Sequence, residues 1–555
     1  MNDTDFSAAT AAALDKLFDS VNRANAPGMV VGVARHGVPV YRRAFGMASL
    51  EHGVANNVAT RMRIGSTSKH FAALAALLLA EDGKFDIDAG VRSVFPELAD
   101  TGAEPTFRQL MHHTGGLRDC LDVGFIAAGL TIKPQGESLA VQARQRDVNF
   151  APGAQMIYNN GGYQLLSLAI ERAAGMPFER YLQERIFAPL GMLDTASVPS
   201  DFEIHPRMAT MHVARPDGSF RRGLFPSEEV RGEGAIVSTI DDMLRWLRHL
   251  RGPHRVGSEA AWRQMLAPAR LNNGFASSYA MGLLVEQYRG VGIVHHGGTV
   301  IGGTCQMLTV PEFALDIIIL ANGAAASPSE LAKSVIDTVL GEAVLPLPAE
   351  TPAMVADYAP MTQAVYASAD GAMVAGFGDA GGKLGLVIHN SPPLLLRVEA
   401  GALCLDFSRS VTGPYRVDCA PLTAEATAPA SLRLSVSGEA RELARLAPPP
   451  SVRDAGAALL GHYSAPDLAA DATIAFDGER LVLRIASPFG PNLLVLAPLS
   501  MDLFKWNFTG ELAALGGTLH VEREGGAVTS LRLNTLRTRH LLFQRIGSKQ
   551  GAAQS

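Results

Sequence analysis

Two proline-rich stretches divide this chain and limit what it can fold into. The first covers residues 345–352 and the second covers residues 447–451. Proline has no backbone N–H and a fixed φ, so clustered prolines favour extended linkers over the interiors of helices or sheets. The 555 residues are therefore predicted to form three domains, at 1–345, 351–447 and 451–546.

The first predicted domain alternates between two kinds of pattern. Strand-like alternation of apolar and polar residues occurs at 29–35, 38–45, 279–287, 292–295, 304–310 and 314–320. Helix-like patterns occur at 8–21, 71–82, 161–174, 178–186, 239–250 and 328–340. Because strands stand at both ends of this domain and helices fill its middle, we expect one antiparallel sheet built from both ends and covered by helices.

The two smaller predicted domains have a different pattern. Short alternating segments recur roughly every ten residues and are separated by Gly, Asp or Pro, at 372–377, 383–389, 402–405, 473–476, 480–485 and 518–523. This spacing is typical of antiparallel barrels or sandwiches. The predicted fold class is α+β: a domain of helices and an antiparallel sheet, followed by two small antiparallel β-barrel-like domains.

Charge and composition exclude several classes of partner. The chain has 48 basic and 54 acidic residues, a net charge of −6, which leaves no electrostatic footprint for nucleic acid or an anionic membrane. The N-terminal residues lack the basic and apolar regions of a secretory signal, and the longest apolar run, 71–80, is roughly half of what spans a bilayer. The four cysteines (Cys120, Cys305, Cys404 and Cys419) have no metal-binding spacing. We therefore expect a cytoplasmic protein.

One short motif has the chemistry of a nucleophile and its base. Ser66 lies three residues before Lys69, a spacing that no other serine and lysine in the chain have. A helical run follows, and positions i and i+3 share a helix face. A lysine whose pKa is lowered by burial or nearby cations can take the proton of a serine hydroxyl, and the first turn of a helix offers free N–H groups to an oxyanion. The pair predicts an acyl-transfer site, although serine also caps helices and lysine is common on their surfaces.

A second segment, Tyr158-Asn159-Asn160, stands just before the predicted helix 161–174. A phenol held near a lysine ammonium is expected to shift toward phenolate, and it can then pass protons. Asn160 has a carbonyl and an NH₂ group that can hold the lysine and a substrate amide. The same residue types are ordinary at the start of a helix, so this segment gains meaning only from its neighbours.

A third segment, residues 295–299, lies on a late predicted strand and reads His-His-Gly-Gly-Thr. Glycine in a strand permits a ligand to approach the backbone closely. His296 is a candidate for binding the leaving product or for moving a proton. The Thr299 N–H is a candidate to join the Ser66 N–H in an oxyanion hole. The alternative is that the histidine pair is only the polar end of a strand.

A fourth segment, residues 112–119, reads His-His-Thr-Gly-Gly-Leu-Arg-Asp. Its histidines have no third ligand at a suitable spacing, so we expect a structural turn that lines the cleft rather than a metal site. Arg118 and Asp119 are expected to form an ion pair that fixes this loop.

The order of these segments carries a resemblance. Gly-Ser-x-Ser-Lys occurs near 66, His-x-Thr-Gly-Gly-Leu near 113, Pro-Gly-x-x-x-x-Tyr-x-Asn ends at 160, Gly-Glu-Gly lies near 233 and His-x-Gly near 296. The series resembles the serine β-lactamase and penicillin-binding-protein superfamily, in its class C-like branch, whose members use Ser-x-x-Lys and Tyr-x-Asn. The third motif is similar to the His-x-Gly form of the D-aminopeptidases. The resemblance covers about residues 5–342, and the two β-rich domains after it are similar to the three-domain layout of those enzymes.

The resemblance implies a role for each matching residue. Ser66 would be the acylated nucleophile, Lys69 its general base, and Tyr158 would share the proton transfers. Asn160 would orient the substrate amide, and the amides of Ser66 and Thr299 would stabilise the oxyanion. Substrate-binding roles are expected for Asn160, His296, Gly298, Thr299 and Glu233. The resemblance implies neither a metal nor a cofactor.

The chain departs from the D-aminopeptidase pattern at one place. In those enzymes a loop of the last domain brings an acidic residue near the free amine of the substrate. The matching stretch here, 487–494, contains no carboxylate before Asp502. Because an ammonium group in a cleft needs a counter-charge, Glu233 is a substitute candidate, and its alternative is a solvated loop acid. A blocked amine, an ester or a D-amino acid amide would suit the less polar cleft.

The leading hypothesis is a serine hydrolase that forms an acyl-enzyme at Ser66 and acts on small D-amino acid peptides, amides or esters. One alternative is a β-lactamase, DD-peptidase or esterase of the same superfamily. Another is a binding or sensor protein that keeps the fold without turnover. We expect a small-molecule or short-peptide substrate, no nucleic acid and no membrane, with a homodimer as one option for the assembly.

Overall fold

The computed structural model describes residues 6–102, 104–346, 351–399, 402–405, 415–418, 427–436 and 439–547. Residues 1–5, residues 347–350 of the first proline-rich stretch, and Cys419 lie outside these ranges. Within them, no helix is both long enough and apolar enough to cross a membrane.

All six predicted helices are present, with ends that differ by a few residues. The α-helices are Ala8–Leu17, Lys69–Glu81, Phe107–Met111, Cys120–Ala128, Glu137–Arg144, Asn160–Ala174, Phe178–Leu182, Ile240–Arg251, Glu259–Met265, Pro328–Leu340, Ala359–Thr362 and Val452–Gly456. Local capping explains several ends: the Thr239 hydroxyl accepts a hydrogen bond from the Asp242 N–H, and Gly175 ends its helix in the left-handed conformation. The helix Cys120–Ala128 was not predicted from the sequence, and it packs against the last part of the chain.

The first domain is built on the predicted antiparallel sheet from both ends of the domain. Its six strands, in spatial order, are Leu284–Tyr288, Val291–Val300, Gly303–Val310, Leu315–Ala321, Met29–Arg35 and Val38–Phe45. Met29 pairs with Ala321, which joins the early strands to the late ones. The predicted strand 279–287 begins only at Leu284, because Gly282 has a φ of +74° that interrupts the extended backbone. Short strands complete the domain: Met47–Ser49, Val54–Ala55, Met62–Arg63, Ala196–Ser197, His212–Ala214, Phe220–Arg222 and Ile236–Ser238.

Apolar cores cover both faces of this sheet. Along the strand Met29–Arg35, Val30 and Ala34 belong to the core that contains most of the helix Lys69–Glu81. Val31 and Val33 belong to a second core, with the helices Ala8–Leu17 and Pro328–Leu340. The alternation follows from the two-residue period of a strand. The domain is therefore three layers deep, and the helix that carries Lys69 lies in one of the buried layers.

The described residues from 351 onward form two closed antiparallel barrels of eight strands each, in agreement with the predicted fold class. We call the first the middle barrel: Val365–Ala367, Val374–Asp379, Leu384–Ile388, Leu394–Glu399, Ala402–Leu405, Tyr415–Asp418, Ser431–Val436 and Glu439–Arg445. We call the second the last barrel: Gly461–Ala465, Ala470–Asp477, Arg480–Ser487, Gly490–Pro498, Leu503–Phe508, Gly516–Glu524, Ala527–Asn534 and Leu541–Arg545. The boundaries of the three domains stay a prediction.

The helix Cys120–Ala128, which we call the docking helix, packs into the last barrel. Its residues Val123 and Ile126 share one hydrophobic core with Leu483 and Trp506 of the barrel. At the start of this helix, the fully buried Arg118 side chain donates hydrogen bonds to the Asp467 carboxylate at 2.7 Å and to two carbonyl oxygens of the last barrel, those of Arg539 and His540, at 2.9 Å each.

The predicted ion pair between Arg118 and Asp119 is therefore wrong. Adjacent side chains point in different directions on entry to a helix, and Arg118 reaches the last barrel instead, where it pairs with Asp467 and, at 3.4 Å, contacts Asp147. Asp119 becomes the N-cap of the docking helix, because its carboxylate accepts a hydrogen bond from the Leu121 N–H.

Candidate active site

Ser66 lies on a tight turn at the start of a buried helix. Gly65–Ser68 forms a single 3₁₀ turn that continues into the helix Lys69–Glu81. This helix is buried on all sides because its residues after Phe71 are almost all Ala or Leu. Side chains three residues apart lie almost in line in a 3₁₀ turn, and the Lys69 Nζ is 3.2 Å from the Ser66 Oγ. The sequence prediction that these two groups lie side by side is confirmed.

Burial favours the neutral form of the Lys69 amine. Burial lowers the pKa of Lys69 to about 7, an effect that the nearby Glu233 carboxylate opposes and the Arg537 guanidinium reinforces. Its Nζ lies 2.8 Å from the Asn160 Oδ1 and 2.8 Å from the Glu233 carbonyl oxygen. A neutral amine has two N–H groups, and these two oxygens accept both. The remaining lone pair is then free to accept the proton of the Ser66 hydroxyl, which is the third neighbour.

Tyr158 lies against the same amine. The Lys69 Nζ is 4.7 Å from the centre of the Tyr158 ring. Burial is the main influence on this phenol, and it raises the pKa of Tyr158 well above its ordinary value; the neighbouring Ser66 hydroxyl opposes the rise. The expected shift toward phenolate is therefore wrong, because the loss of hydration outweighs the effect of the nearby Arg537 cation. A protonated phenol therefore lies beside the Ser66 hydroxyl, where it is available to a bound molecule.

Asp119 holds Asn160, the residue that in turn holds Lys69. One carboxylate oxygen of Asp119 accepts hydrogen bonds from the Asn160 N–H at 3.1 Å and from its side-chain NH₂ at 3.3 Å. The other oxygen accepts from the Gly161 N–H at 3.1 Å. With the NH₂ group directed at Asp119, the Asn160 carbonyl oxygen is left to face Lys69. This role of Asp119 was not predicted from the sequence, although an aspartate directly before a helix is a usable signal.

A chain of hydrogen bonds fixes the neutral state of His296. The Asn159 N–H donates to the His113 Nδ1 at 3.1 Å, so the proton of His113 is on Nε2. That nitrogen is 3.1 Å from the Tyr279 hydroxyl, which is 3.0 Å from the His296 Nε2. This series of hydrogen bonds ends at His296, whose Nδ1 donates to the Gly297 carbonyl oxygen. Because the first group can only donate and the last can only accept, all the protons are ordered in one direction.

His296 is accordingly a buried neutral imidazole. Burial and the neighbouring Lys69 lower the pKa of His296 to about 3. Both of its ring nitrogens already have partners, Tyr279 and Gly297. Binding a leaving product through a ring nitrogen would require this chain of hydrogen bonds to change. The substrate-binding role of His296 stays a prediction.

Two glycines allow the strand Val291–Val300 to approach the turn at Ser66. A Cβ atom on Gly298 would lie only 1.8 Å from the Ile64 carbonyl oxygen and 3.1 Å from the Ser66 nitrogen. A Cβ atom on Gly65, which has a φ of +54°, would lie 2.8 Å from the Thr299 nitrogen. The backbone nitrogens of Ser66 and Thr299 are therefore brought to the same part of the cavity wall, as the sequence analysis expected for an oxyanion hole.

Glu233 contributes to the site through its backbone as well as its side chain. Its carbonyl oxygen accepts the Lys69 hydrogen bond, and its carboxylate accepts a hydrogen bond from the Arg231 N–H at 3.1 Å. Burial raises the pKa of the Glu233 carboxyl group. Glu233 is partly exposed and lines the same cavity as Ser66, and its role toward a substrate amine stays a prediction.

A cavity of about 1130 Å³ contains the site. Its wall includes every predicted site residue except Lys69: Ser66, Tyr158, Asn160, Glu233, His296, Gly298 and Thr299. The last barrel also contributes, through Phe489 of the stretch 487–494 and through Leu536 and Arg537 of a second loop. The sequence left open whether the last domain reaches the site. It does reach the site. It contributes the cation Arg537 and the aromatic ring of Phe489, whereas the resemblance to D-aminopeptidases implied a carboxylate from this domain.

Comparisons with known proteins agree with this architecture. The family model described as Beta-lactamase matches residues 13–339, more than half of the chain. A D-aminopeptidase of Cereibacter sphaeroides is 30% identical over 566 residues, covering 96% of this chain and 99% of its own length. A D-aminopeptidase of Brucella anthropi is 28% identical over 57% of this chain and 59% of its own length.

Two solved structures share the fold. The octameric penicillin-binding protein homologue from Pyrococcus abyssi is 17% identical, with a TM-score of 0.54 over 96% of this chain and 99% of its own. The D-amino acid amidase from Ochrobactrum anthropi SV3, in complex with D-phenylalanine, is 23% identical, with a TM-score of 0.51 over 60% of this chain and all of its own. These two likenesses describe the fold, whereas the family match and the near full-length relative describe the lineage. The chain therefore belongs to the Beta-lactamase family, and it is a serine hydrolase.

Proposed function

We propose that the protein hydrolyses small D-amino acid peptides, amides or esters through an acyl-enzyme at Ser66. The observation that carries the proposal is the set of contacts around Lys69. Two carbonyl oxygens occupy its two N–H groups at 2.8 Å, and the Ser66 Oγ stands at 3.2 Å where the lone pair remains. A pure binding protein has no need of a dehydrated amine aimed at a serine, so a non-turnover sensor is the weaker alternative.

The acylation step follows from this arrangement. The Ser66 Oγ attacks the carbonyl carbon of the substrate while its proton moves to the Lys69 amine, and the carbonyl oxygen becomes an oxyanion. The N–H groups of Ser66 and Thr299 are available to that oxyanion. When the intermediate collapses, the bond to the leaving amine or alcohol breaks, and the leaving group takes a proton from Lys69, with the Tyr158 hydroxyl placed to relay it. Water then attacks the ester carbon by the reverse sequence, which releases the acid and restores Ser66.

The substrate class rests on the relatives rather than on the geometry. Relatives that match nearly the whole chain are named D-aminopeptidases, and one structural neighbour is a D-amino acid amidase. Asn160 and Glu233 line the cavity beside the nucleophile and are the proposed contacts for the substrate amide and its amine. A cytoplasmic location and a homodimer stay predictions.

The test is a comparison of Ser66→Ala with Ser329→Ala, a control serine elsewhere in the same cavity wall. We expect wild type and Ser329→Ala to hydrolyse D-alanine p-nitroanilide and a short nitrophenyl ester, and Ser66→Ala to lose at least about a thousandfold in kcat. Mass spectrometry of the wild type after rapid quenching should detect the acyl group on Ser66. Equal turnover by Ser66→Ala would refute the proposal. Nitrocefin hydrolysis at a comparable rate would instead favour the β-lactamase alternative.

A further inference from the structure

The last barrel supplies one cation to the wall beside Tyr158. The Arg537 guanidinium carbon lies 5.2 Å from the centre of the Tyr158 ring, and the Lys69 Nζ lies 4.7 Å from the same centre. The two groups are thus separated by no more than these distances combined. A peptide advances about 3.3–3.6 Å per residue, so a group bound to Arg537 lies within a residue or two of a carbonyl carbon at Ser66.

The loop that carries Arg537 is held firmly against the catalytic domain. The Asn149 side chain clamps it from both ends of its amide: its NH₂ group donates to the Arg537 carbonyl oxygen at 2.8 Å, and its oxygen accepts from the Arg539 N–H at 2.8 Å. Within the loop, the Arg537 N–H donates to the Thr535 hydroxyl at 3.0 Å. The backbone of Arg537 is therefore fixed, and the guanidinium group is presented from a defined point.

The guanidinium group lies over the Tyr158 ring and near one acid, but it donates no hydrogen bond within the part of the chain that the structure describes. Its nearest acid is Asp119, at 3.9 Å, which is longer than a hydrogen bond. The Asp119 oxygen concerned already accepts two hydrogen bonds from Asn160. Among the described residues no side chain or carbonyl accepts a hydrogen bond from the Arg537 side chain, and 43% of that side chain is exposed. The guanidinium N–H donors therefore have no acceptor among the described residues, and Arg537 lines the cavity.

Two acids in the cavity wall differ from Arg537 in this respect. Asp467 is paired with Arg118, and the Glu229 carboxylate accepts hydrogen bonds from the Gly136 and Ser138 N–H groups. Both acids thus already have hydrogen-bond partners within the protein, and that of Asp467 is a cation. An unoccupied planar guanidinium, by contrast, matches the two oxygens of a carboxylate.

We propose that Arg537 binds a carboxylate of the substrate, so that the preferred substrates are D-amino acid peptides or amides that carry a negative charge next to the scissile bond. This proposal rests on the hydrolase function proposed above and specifies its substrate class. The carboxylate has two sources: the C-terminus of the leaving residue or an acidic side chain on the acyl residue. The absence of an acid in the stretch 487–494 fits this polarity, because the last barrel offers a cation to the substrate instead.

Pairs of substrates that differ only in carboxylate against carboxamide test the proposal. D-Ala-Gly and D-Ala-glycinamide vary the leaving residue, and D-glutamic acid α-amide and D-glutamine α-amide vary the acyl residue. We expect the wild type to prefer the carboxylate member of one pair by about 10- to 100-fold in kcat/KM, the range of a charge-assisted pair. Arg537→Gln should bring that ratio near one, and Arg537→Lys should restore part of it. The ratio cancels any effect of Arg537 on Lys69, since both members of a pair use the same base.

Lys133→Gln is the matched control. Its ammonium group also faces the cavity, 5.1 Å from the centre of the Phe125 ring. The Lys133→Gln variant should keep the carboxylate preference of the wild type. If Lys133→Gln lowers the ratio as much as Arg537→Gln, or if the wild type shows no preference in either pair, the proposal is wrong.

A binding measurement separates this proposal from the hydrolase function. Calorimetric titration of Ser66→Ala with the preferred carboxylate substrate should give binding that Ser66→Ala combined with Arg537→Gln weakens by about tenfold or more. If Ser66 forms an acyl-enzyme with a neutral nitrophenyl ester but no carboxylate preference exists, only the Arg537 proposal fails. If no substrate acylates Ser66, the hydrolase function itself fails.

Discussion

The two barrels have the same architecture but different relations to the catalytic domain. The core of the middle barrel consists of its own residues and the short segment before it, between Ala353 and Leu443. The core of the last barrel includes the docking helix of the catalytic domain. Both barrels line the cavity, yet the buried Arg118–Asp467 pair joins the catalytic domain to the last barrel. The last barrel is therefore packed into the catalytic domain, whereas the middle barrel, in its described residues, mainly contacts the last barrel.

The contacts of the middle barrel support this distinction. The Asn390 side chain donates to the Trp506 carbonyl oxygen at 3.0 Å, and the Thr518 hydroxyl donates to the Gly371 carbonyl oxygen at 2.7 Å. A small apolar cluster around Val374 and Leu503 lies at the same junction. These contacts join barrel to barrel. The loop with Arg537, by contrast, is clamped directly by Asn149 of the catalytic domain.

The largest expected effect comes from removing Arg118. Arg118→Ala leaves the Asp467 carboxylate buried without its cation, which should lower the free energy of unfolding by about 3–5 kcal/mol. Arg441→Ala is the control in the middle barrel. Arg441 forms a long ion pair, 3.8 Å, with a half-exposed Asp370, so this substitution should lower the free energy of unfolding by under about 1 kcal/mol. Urea unfolding followed by activity measures both. Equal losses in the two variants would break the comparison.

Ile126→Ala should have the next largest effect. Ile126 is fully buried between the docking helix and the last barrel, so its truncation leaves a cavity that costs about 2–5 kcal/mol. Leu386→Ala makes a similar cavity inside the middle barrel. In Ile126→Ala, activity and the native fluorescence of Trp506, in the last barrel, should be lost together, at a lower urea concentration than in the wild type. In Leu386→Ala both signals should persist to a higher urea concentration than in Ile126→Ala. The opposite order would contradict the inference that the catalytic domain depends on the last barrel more than on the middle barrel.

Two asparagines offer a smaller and closely matched comparison. The Asn492 NH₂ group donates to the carbonyl oxygens of Phe125 and Ile126, both at 2.9 Å, at the end of the docking helix. Asn390 makes the corresponding link between the barrels. Each substitution by alanine should cost about 1–2 kcal/mol in thermal or urea unfolding. Only Asn492→Ala should also lower kcat/KM, and a similar loss in Asn390→Ala would mean that the middle barrel supports the site as well.

The smallest expected effect is a shift in pH dependence. Lys69 must be unprotonated to act as a base, so kcat/KM should rise with pH as it passes the Lys69 pKa of about 7. Arg537 lowers that pKa and Glu233 raises it. Arg537→Gln should therefore move the rising limb to higher pH, and Glu233→Gln should move it to lower pH. Arg441→Gln, in the middle barrel, should leave the rising limb of the pH–rate profile unchanged. Shifts opposite to those expected for Arg537→Gln and Glu233→Gln would contradict the assignment of Lys69 as the base.

Much of this protein was determined by local sequence. The alternating and helical patterns predicted the sheet from both ends of the domain, the six main helices and the two barrels, because burial imposes a period on each element. The order of the motifs placed Ser66, Lys69, Tyr158 and Asn160 in one site, since each belongs to a short segment with a recognisable pattern. Spacing alone also put Lys69 beside Ser66, because three residues make one turn of a 3₁₀ helix.

The tertiary structure decided what depends on burial and on distant contacts. Tyr158 keeps its proton because many segments exclude water from it, and Asp119 reaches Asn160 rather than Arg118 because two helices begin side by side. Arg537 lies 379 positions beyond Tyr158 in the chain, as the residue numbers show, and comes beside it only because the last barrel docks on the helix Cys120–Ala128. Pattern and spacing describe neighbours along the chain, whereas desolvation and charge pairing depend on the groups that folding brings together from far apart.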